Sequence, residues 1–235
     1  MKNLFLFLFL LVVFTSKAQD NRVSGLNSRQ FTKYWKVESE SPDYKVTFQG
    51  DTAEIVSPKG LTLWRKEKMS GKVTIEYDAC VVVESDGDRL SDLNCFWMAS
   101  DPQYPDNLWK REKWRSGIFL NCYSLQLYYL GYGGNHNSTT RFRRYDGDES
   151  GITNPKARPA ILKEYTDAGH LLKPNHWYHI KITNENNRVS YYIDGERLVD
   201  FRDAEPLREG WFGFRTTLSR TRITNFSYEL SLIHI

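Results

Sequence analysis

The sequence predicts an all-β chain folded as an antiparallel β-sandwich, and three observations carry that expectation. Apolar and polar residues alternate with a period of two in run after run, as in "YKVTFQ" from Tyr44, "KVTIEYDACVVVE" from Lys72 and "WYHIKITNE" from Trp177. Turn signals such as "SPKG", "SDGD", "YGGN", "YDGD", "NENN" and "IDGE" separate the runs. No convincing amphipathic helix interrupts them. About a dozen short strands of this kind suit two sheets packed face to face or a barrel.

Taken in order, the chain opens "MKNLFLFLFLLVVFTSKAQ", a lysine, an apolar run from Leu4 to Phe14 and a small-x-small pattern at Ser16 and Ala18. This reads as a secretory signal peptide over residues 1–18, removed near Ala18. Export to the periplasm or beyond is therefore expected. The apolar run is shorter than the roughly 20 residues a membrane-spanning helix needs, and no other run comes near that length. "TAEIV" and "LTLWR" follow as strands on either side of "SPKG", then "LNCFWMA". Pro102 to Trp114, "PQYPDNLWKREKW", breaks the alternation and reads as a long loop holding about one helical turn, a length that tends to be functional. "SGIFLNC", "SLQLYYLGY" and "TRFRRY" resume the strands, and "RVSYYID", "WFGFRTT" and "TRITNFSYEL" complete them. With no linker, repeat or low-complexity segment, residues 19–235 are expected to form one domain.

The formal charge of +3 falls to +1 once Lys2 and Lys17 leave with the signal, too balanced to argue for nucleic acid or an anionic membrane. Cys80, Cys95 and Cys122 allow at most one disulfide, and each sits in an apolar run where a small buried core residue is the simplest reading.

The C-terminal third, "NHWYHIKITNENNRVSYYIDGERLVDF" followed by "GWFGFRTTLSRTRITNFSYEL", resembles the closing strands of concanavalin A-like lectin/glucanase jelly rolls. Asp194-Gly195 suits the tight turn between two of them. The likeness is close over about sixty residues and implies a fold shared by lectins, hydrolases and lyases. It also implies that one sheet is concave and offers aromatic and polar side chains to a glycan.

"YYLGYGGNHNSTTRFRRY", from Tyr128 to Tyr145, is the stretch that fits such a surface. Alternation is expected to turn Leu125 and Leu127 to the core and Gln126, Tyr128 and Tyr132 to the site. Arg141, Arg143 and Tyr145 share a face of the next strand, and the loop between carries His136. A solvated hairpin with salt-bridging arginines is the plainer reading of the same residues. Trp97, Asn94, Arg115 and Arg215 are further candidates for substrate contact, with Trp109 and Trp114 flanking the long loop.

A retaining glycosidase needs two carboxylates about 5–5.5 Å apart. Laminarinase-like members of the fold carry them as E-x-D-x-x-E or E-x-D-x-E, whereas here Glu76 and Asp78 are followed by Cys80 and Val81. The usual pair is missing, so hydrolysis is disfavoured. β-Elimination beside a uronic acid needs its carboxylate neutralised, the C5 proton removed and the leaving oxygen protonated. Arg141 or Arg143 suits the first task, His136 the second as base, and Tyr132 the role of acid or base partner. Jelly-roll alginate lyases, which the chain resembles in fold but not in motifs, use the same residue types.

"NCFWMASDP" and "SGIFLNCYSLQLYYLGYGGNHNSTTRFRRYDGD", together with the signal and the jelly-roll ending, resemble a family of exported Bacteroidetes proteins associated with ulvan-type polysaccharide degradation. That resemblance implies a carbon–oxygen lyase, an oligosaccharide dehydratase or polysaccharide lyase, leaving a 4,5-unsaturated uronate. The expected partner is an anionic oligosaccharide or polysaccharide, and a monomer is expected to suffice. No cofactor is required, although fold analogy admits a structural Ca²⁺ near "DGDES". A noncatalytic carbohydrate-binding module is the alternative from another class. His170, His176, His179 and His234 carry less weight, His176 and His179 being expected on opposite faces of one strand.

Overall fold

The computed structural model describes residues 22–231; the expected signal peptide and His234 lie outside them. In chain order the first strands are β1 (Arg22–Ser24), β2 (Trp35–Ser39), β3 (Lys45–Gln49), β4 (Thr52–Arg65) and β5 (Met69–Ser70). β6 (Lys72–Val81), β7 (Leu93–Ser100), β8 (Gln126–Gly133), β9 (Thr139–Asp146) and β10 (Lys163–Tyr165) follow. β11 (Tyr178–Glu185), β12 (Arg188–Ile193), β13 (Glu196–Arg202) and β14 (Glu209–Ser231) close the chain.

The strands make an antiparallel sandwich. A front sheet runs β10-β9-β8-β7 and continues through the first half of β14 and the second half of β4 to β2. A back sheet runs β13-β12-β11-β6 and continues through the second half of β14 and the first half of β4 to β3. Each of β4 and β14 therefore belongs to both sheets. The sequence splits each of them in two, at "SPKG" and at "TTLSR", but the structure carries each through as one bent strand. The bend is a bulge: the register slips between Thr217 and Ser219, where Leu218 has φ +50°, opposite Pro58 and Lys59. An extra residue bends a strand and lets it change sheets, and a bulge is where a strand tolerates proline.

Between the sheets lies the main core. Trp97, Tyr128, Leu130 and Phe142 of the front sheet meet Ile75, Tyr77, Ile182 and Tyr191 of the back sheet there. A second apolar cluster covers the outer face of the front sheet, where Trp64, Phe96, Leu125, Leu127, Tyr129 and Tyr145 pack under the segment between β7 and β8. That segment contributes short helical turns at 108–111, 112–115 and 120–124, more than the single turn expected. Arg115 ties it down: fully buried, it donates to Glu38 of β2 at 3.3 and 3.0 Å and to the Leu108 carbonyl at 2.6 Å.

All three cysteines are free and buried. Burial pushes the Cys95 thiol up to about 12 and the Cys122 thiol up to about 11, which keeps both protonated and unreactive. No helix among the described residues is long and apolar enough to cross a membrane.

Candidate functional site

Strand register builds a row of polar groups across the outer face of the front sheet. Arg141 of β9 stands opposite Gly131 of β8, Gly131 opposite Asn94 of β7, and Asn94 opposite Arg215 of β14. In the neighbouring row on the same face, Arg143 stands opposite Tyr129, Tyr129 opposite Phe96, and Phe96 opposite Gly213. Gly131 leaves a gap in the first row, and the Tyr129 hydroxyl leans into it. A Cβ at 131 would lie 2.2 Å from that oxygen. Arg141, Gly131, Asn94, Arg215, Arg143 and Tyr129 line a cleft of about 470 Å³, bounded by Phe119 and Tyr123 of the β7–β8 segment and by the β8–β9 turn. Glycine inside a strand marks such a close approach.

The cleft is rich in guanidinium groups. Arg89 is paired with Asp92 at 2.9 Å and Arg141 with Glu164 at 2.5 Å. Arg215, buried, donates to the Gly117 carbonyl at 2.5 Å and lies over the Phe119 ring, while Arg143 donates to the Pro159 carbonyl. Among the described residues neither Arg143 nor Arg215 forms an ion pair within 4.0 Å, although buried Glu38 feels the Arg215 charge. Asn94 is 6% exposed; its Nδ2 donates to Asp92 at 3.3 Å, and its buried Oδ1 has no hydrogen-bond partner. Such an oxygen at a cleft floor suits a ligand hydroxyl. Burial raises the Tyr129 phenol well above the ordinary tyrosine range, Asp92 adds to the shift, and Arg215 and Arg143 oppose it. Tyr129 thus keeps its proton at neutral pH.

His136 enters the cleft from the β8–β9 turn, where Asn135, His136 and Asn137 all have left-handed backbone, with φ of 52°, 56° and 58°. Asparagine and histidine are among the residues that best tolerate this region. Asn137 locks the turn from outside: its amide donates to the Leu172 carbonyl at 2.9 Å and accepts from the Leu172 N–H at 2.8 Å. The His136 side chain is exposed.

The model of a family described as a domain of unknown function, DUF6250, matches residues 55–226, well over half of the chain. The chain belongs to the DUF6250 family. No curated protein matches it in sequence. Among solved structures it is similar to a Bacillus subtilis protein of unknown function with a galectin-like fold, at 15% identity and TM-score 0.66, over 84% of this chain and 89% of that one. It is also similar to the carbohydrate-binding module CBM66 from Bacillus subtilis, at 16% identity and TM-score 0.55, over 83% and 94%. A native glycosidic hydrolase matches at 8% identity and TM-score 0.56, over 91% and 97%. At such identities the likeness shows the fold, a galectin-like jelly roll shared by binding proteins and glycosidases.

The structure of the DUF6250 chain gathers His136, Arg141, Arg143, Asn94 and Arg215 in one cleft and removes the other five sequence candidates from it. Tyr132 and Tyr128 face the main core, on the opposite side of β8 from the expectation. The Tyr132 hydroxyl donates to the Leu171 carbonyl at 3.3 Å, and that of Tyr128 to Asp203 at 2.6 Å. Gln126 shares their side of the strand, half-buried and outside the cleft. Trp97 is fully buried between the sheets, 5.6 Å from the Tyr128 ring and 6.1 Å from Tyr191. Arg115 is consumed by Glu38. The alternation of β8 does not reveal its phase because both its faces are apolar: Leu125 and Leu127 sit in the outer cluster, under the β7–β8 segment.

Tyr129, Tyr123, Arg89 and Asp92 also line the cleft and are not among the residues the sequence points to. Gly131, two positions after Tyr129 and therefore on its face, was the available signal. Elsewhere, Asp78 pairs with His179 at 2.7 Å and accepts from Asn225 at 2.6 Å, while Lys181 lies 3.3 Å from Glu76. These acids are on the outer face of the back sheet, away from the cleft. His176 precedes β11 and lies 3.6 Å from Asp194, and Trp109 and Trp114 sit in the β7–β8 segment. Among the described residues no group of three or more His, Cys, Asp or Glu could hold a metal ion. In "DGDES", Asp146 pairs with Arg144, Asp148 accepts from the Ser150 N–H and Glu149 pairs with Arg111, so these acids do not converge.

Proposed function

We propose that the cleft binds an anionic, uronate-bearing oligosaccharide and breaks its C4–O bond by β-elimination. The observation that carries this reading is the buried Tyr129 phenol standing over Gly131 with Arg143 directly opposite it. Arg143 and Arg215 neutralise the uronate carboxylate, which acidifies the C5 proton. His136 takes that proton, its electron pair forms the C4=C5 double bond, and the C4–O bond breaks. The leaving oxygen receives the proton that the Tyr129 phenol carries at neutral pH, and the Arg143 and Arg215 charges favour the phenolate left behind. Tyr129 thus replaces Tyr132 as partner of His136. The leaving group is either water from a terminal residue or the rest of the sugar chain.

Hydrolysis is less well supported: of the two carboxylates in the cleft, Glu40 accepts from the Gly60 N–H at 3.0 Å and Asp92 serves Arg89 and Asn94. A noncatalytic binding module is the second reading, favoured by the absence of a hydrogen-bond partner orienting His136 among the described residues. The acting unit is proposed to be one exported domain, working as a monomer.

The test is ultraviolet absorbance from the conjugated product when residues 19–235 are incubated with polyuronates and their oligosaccharides. Absorbance that rises for the native chain and fails to rise for Tyr129→Phe supports elimination. Saturable binding with no absorbance change on any uronate would replace it with the binding module.

A further inference from the structure

Beyond the cleft, the outer face of the back sheet carries a trough of about 730 Å³ that the proposed reaction does not use. Its floor is a row of short hydroxyl side chains in register: Thr74 of β6 opposite Thr183 of β11, and Thr183 opposite Ser190 of β12. Long side chains two residues away on either side form the walls. One wall holds Lys181, Tyr192 and Arg197, and the other Lys72, Arg188 and Arg202. From strand spacing and rise, the trough measures roughly 14 Å from β6 to β13 and roughly 14 Å between the backbones of the two walls.

The electrostatic pattern is specific. Five cations and a single carboxylate, Glu185, line the trough. Glu185 pairs with Lys72, and Glu76 behind one wall lies 3.3 Å from Lys181. Asp200, opposite Ser190 at one end, accepts from Arg188 at 2.6 Å and lies 3.2 Å from Arg197, so two guanidiniums share one carboxylate. Arg202 forms no ion pair among the described residues, and Asp200 feels its charge as a third guanidinium. Glu229 stands beyond Thr74 at the other end. The trough thus offers a surplus of forked donors above a floor of hydroxyls, with the Tyr192 ring in one wall.

We infer that this trough is a second glycan-binding surface, which takes a segment of acidic polysaccharide on the face opposite the cleft. Guanidinium forks meet carboxylate or sulfate groups, the Thr74–Thr183–Ser190 row meets ring hydroxyls, and the half-buried Tyr192 ring meets an apolar sugar face. Nucleic acid fits less well, because a single half-buried aromatic ring offers no stacking track. A surface of this kind raises the local concentration of polymer around the cleft without joining the chemistry.

Affinity electrophoresis of residues 19–235 through gels containing polygalacturonate, dextran sulfate or neutral dextran tests it, with Arg197→Ala/Arg202→Ala and Thr183→Glu as variants and Arg143→Ala as a background with the cleft impaired. Retardation by at least one acidic polymer is expected to persist in Arg143→Ala and to weaken at least fivefold when either trough variant is added. Polygalacturonate and dextran sulfate separate carboxylate from sulfate recognition. Equal retardation with and without the trough substitutions overturns the inference, as does equal retardation by neutral dextran. A shift of single-stranded DNA without retardation by either acidic polymer also overturns it.

Discussion

Tyr129 and Gly131 share one face of β8, and the tyrosine hydroxyl fills the space that a side chain at 131 would take, 2.2 Å from a Cβ built there. Gly131 has an ordinary strand backbone, so alanine brings no dihedral strain. The cost falls on the Tyr129 ring, which must swing away. Gly131→Ala is expected to lower kcat/KM on a uronate substrate at least tenfold while leaving the unfolding midpoint within a few degrees. Unchanged kinetics would show that the position of the Tyr129 hydroxyl is immaterial.

The two tyrosines that differ in face should differ in effect. Tyr129→Phe is expected to lower kcat by about 10²–10⁴, the usual range for loss of a general acid, with KM little altered. Tyr132→Phe removes a hydrogen bond to the Leu171 carbonyl and should cost about 1 kcal/mol of stability with turnover intact. Steady-state kinetics on both variants reads this directly; the opposite ranking would restore Tyr132 to the site.

Arg115 and Glu38 form a buried pair that fastens the β7–β8 segment to the front sheet. Arg115→Ala leaves Glu38 buried without its cation and is expected to cost about 3–5 kcal/mol in urea unfolding. Replacing both residues by apolar ones of similar size should restore most of that loss. A double variant no more stable than the single one would contradict this account.

His170 ties the segment before β11 to the β12–β13 turn, with Nδ1 2.8 Å from Asp167, Nε2 3.1 Å from Glu196 and its ring stacked on Tyr165. Burial opposes the charged ring, but the hydrogen bonds to Asp167 and Glu196 outweigh it and raise its pKa above the ordinary histidine value. The stabilisation is therefore complete below about pH 6.5, the unfolded value, and is lost as pH rises through the higher folded value. His170→Gln should thus destabilise the chain more at about pH 5.5 than at about pH 8.5. The same urea midpoint difference at both pH values would exclude the linkage. Because the His170 carbonyl accepts from Thr140 and neighbouring Leu172 holds Asn137, amide exchange in the His136 turn should quicken in this variant.

Much of the fold was legible because strand alternation is a local property. "KVTIEYDAC" places Val73, Ile75, Tyr77 and Ala79 inside and Thr74, Glu76 and Asp78 outside, as its buried and half-buried residues do in β6. Arg141, Arg143 and Tyr145 share a face of β9, with Phe142 on the other, for the same reason. Alternation fails where a strand is covered on both faces. β8 is buried from Leu127 to Gly133, so no polar residue marks which parity looks at the cleft.

The sequence by itself determined that the chain is built of alternating antiparallel strands, and that three arginines and a histidine cluster around one hairpin. Only the tertiary structure decided which tyrosine meets those arginines. The β7–β8 segment folds over Leu125 and Leu127 and gives the front sheet a second apolar layer, while Gly131 keeps the adjoining surface open. Both depend on contacts between residues distant in sequence, such as Arg115 with Glu38, and no local pattern encodes which face such a segment will cover.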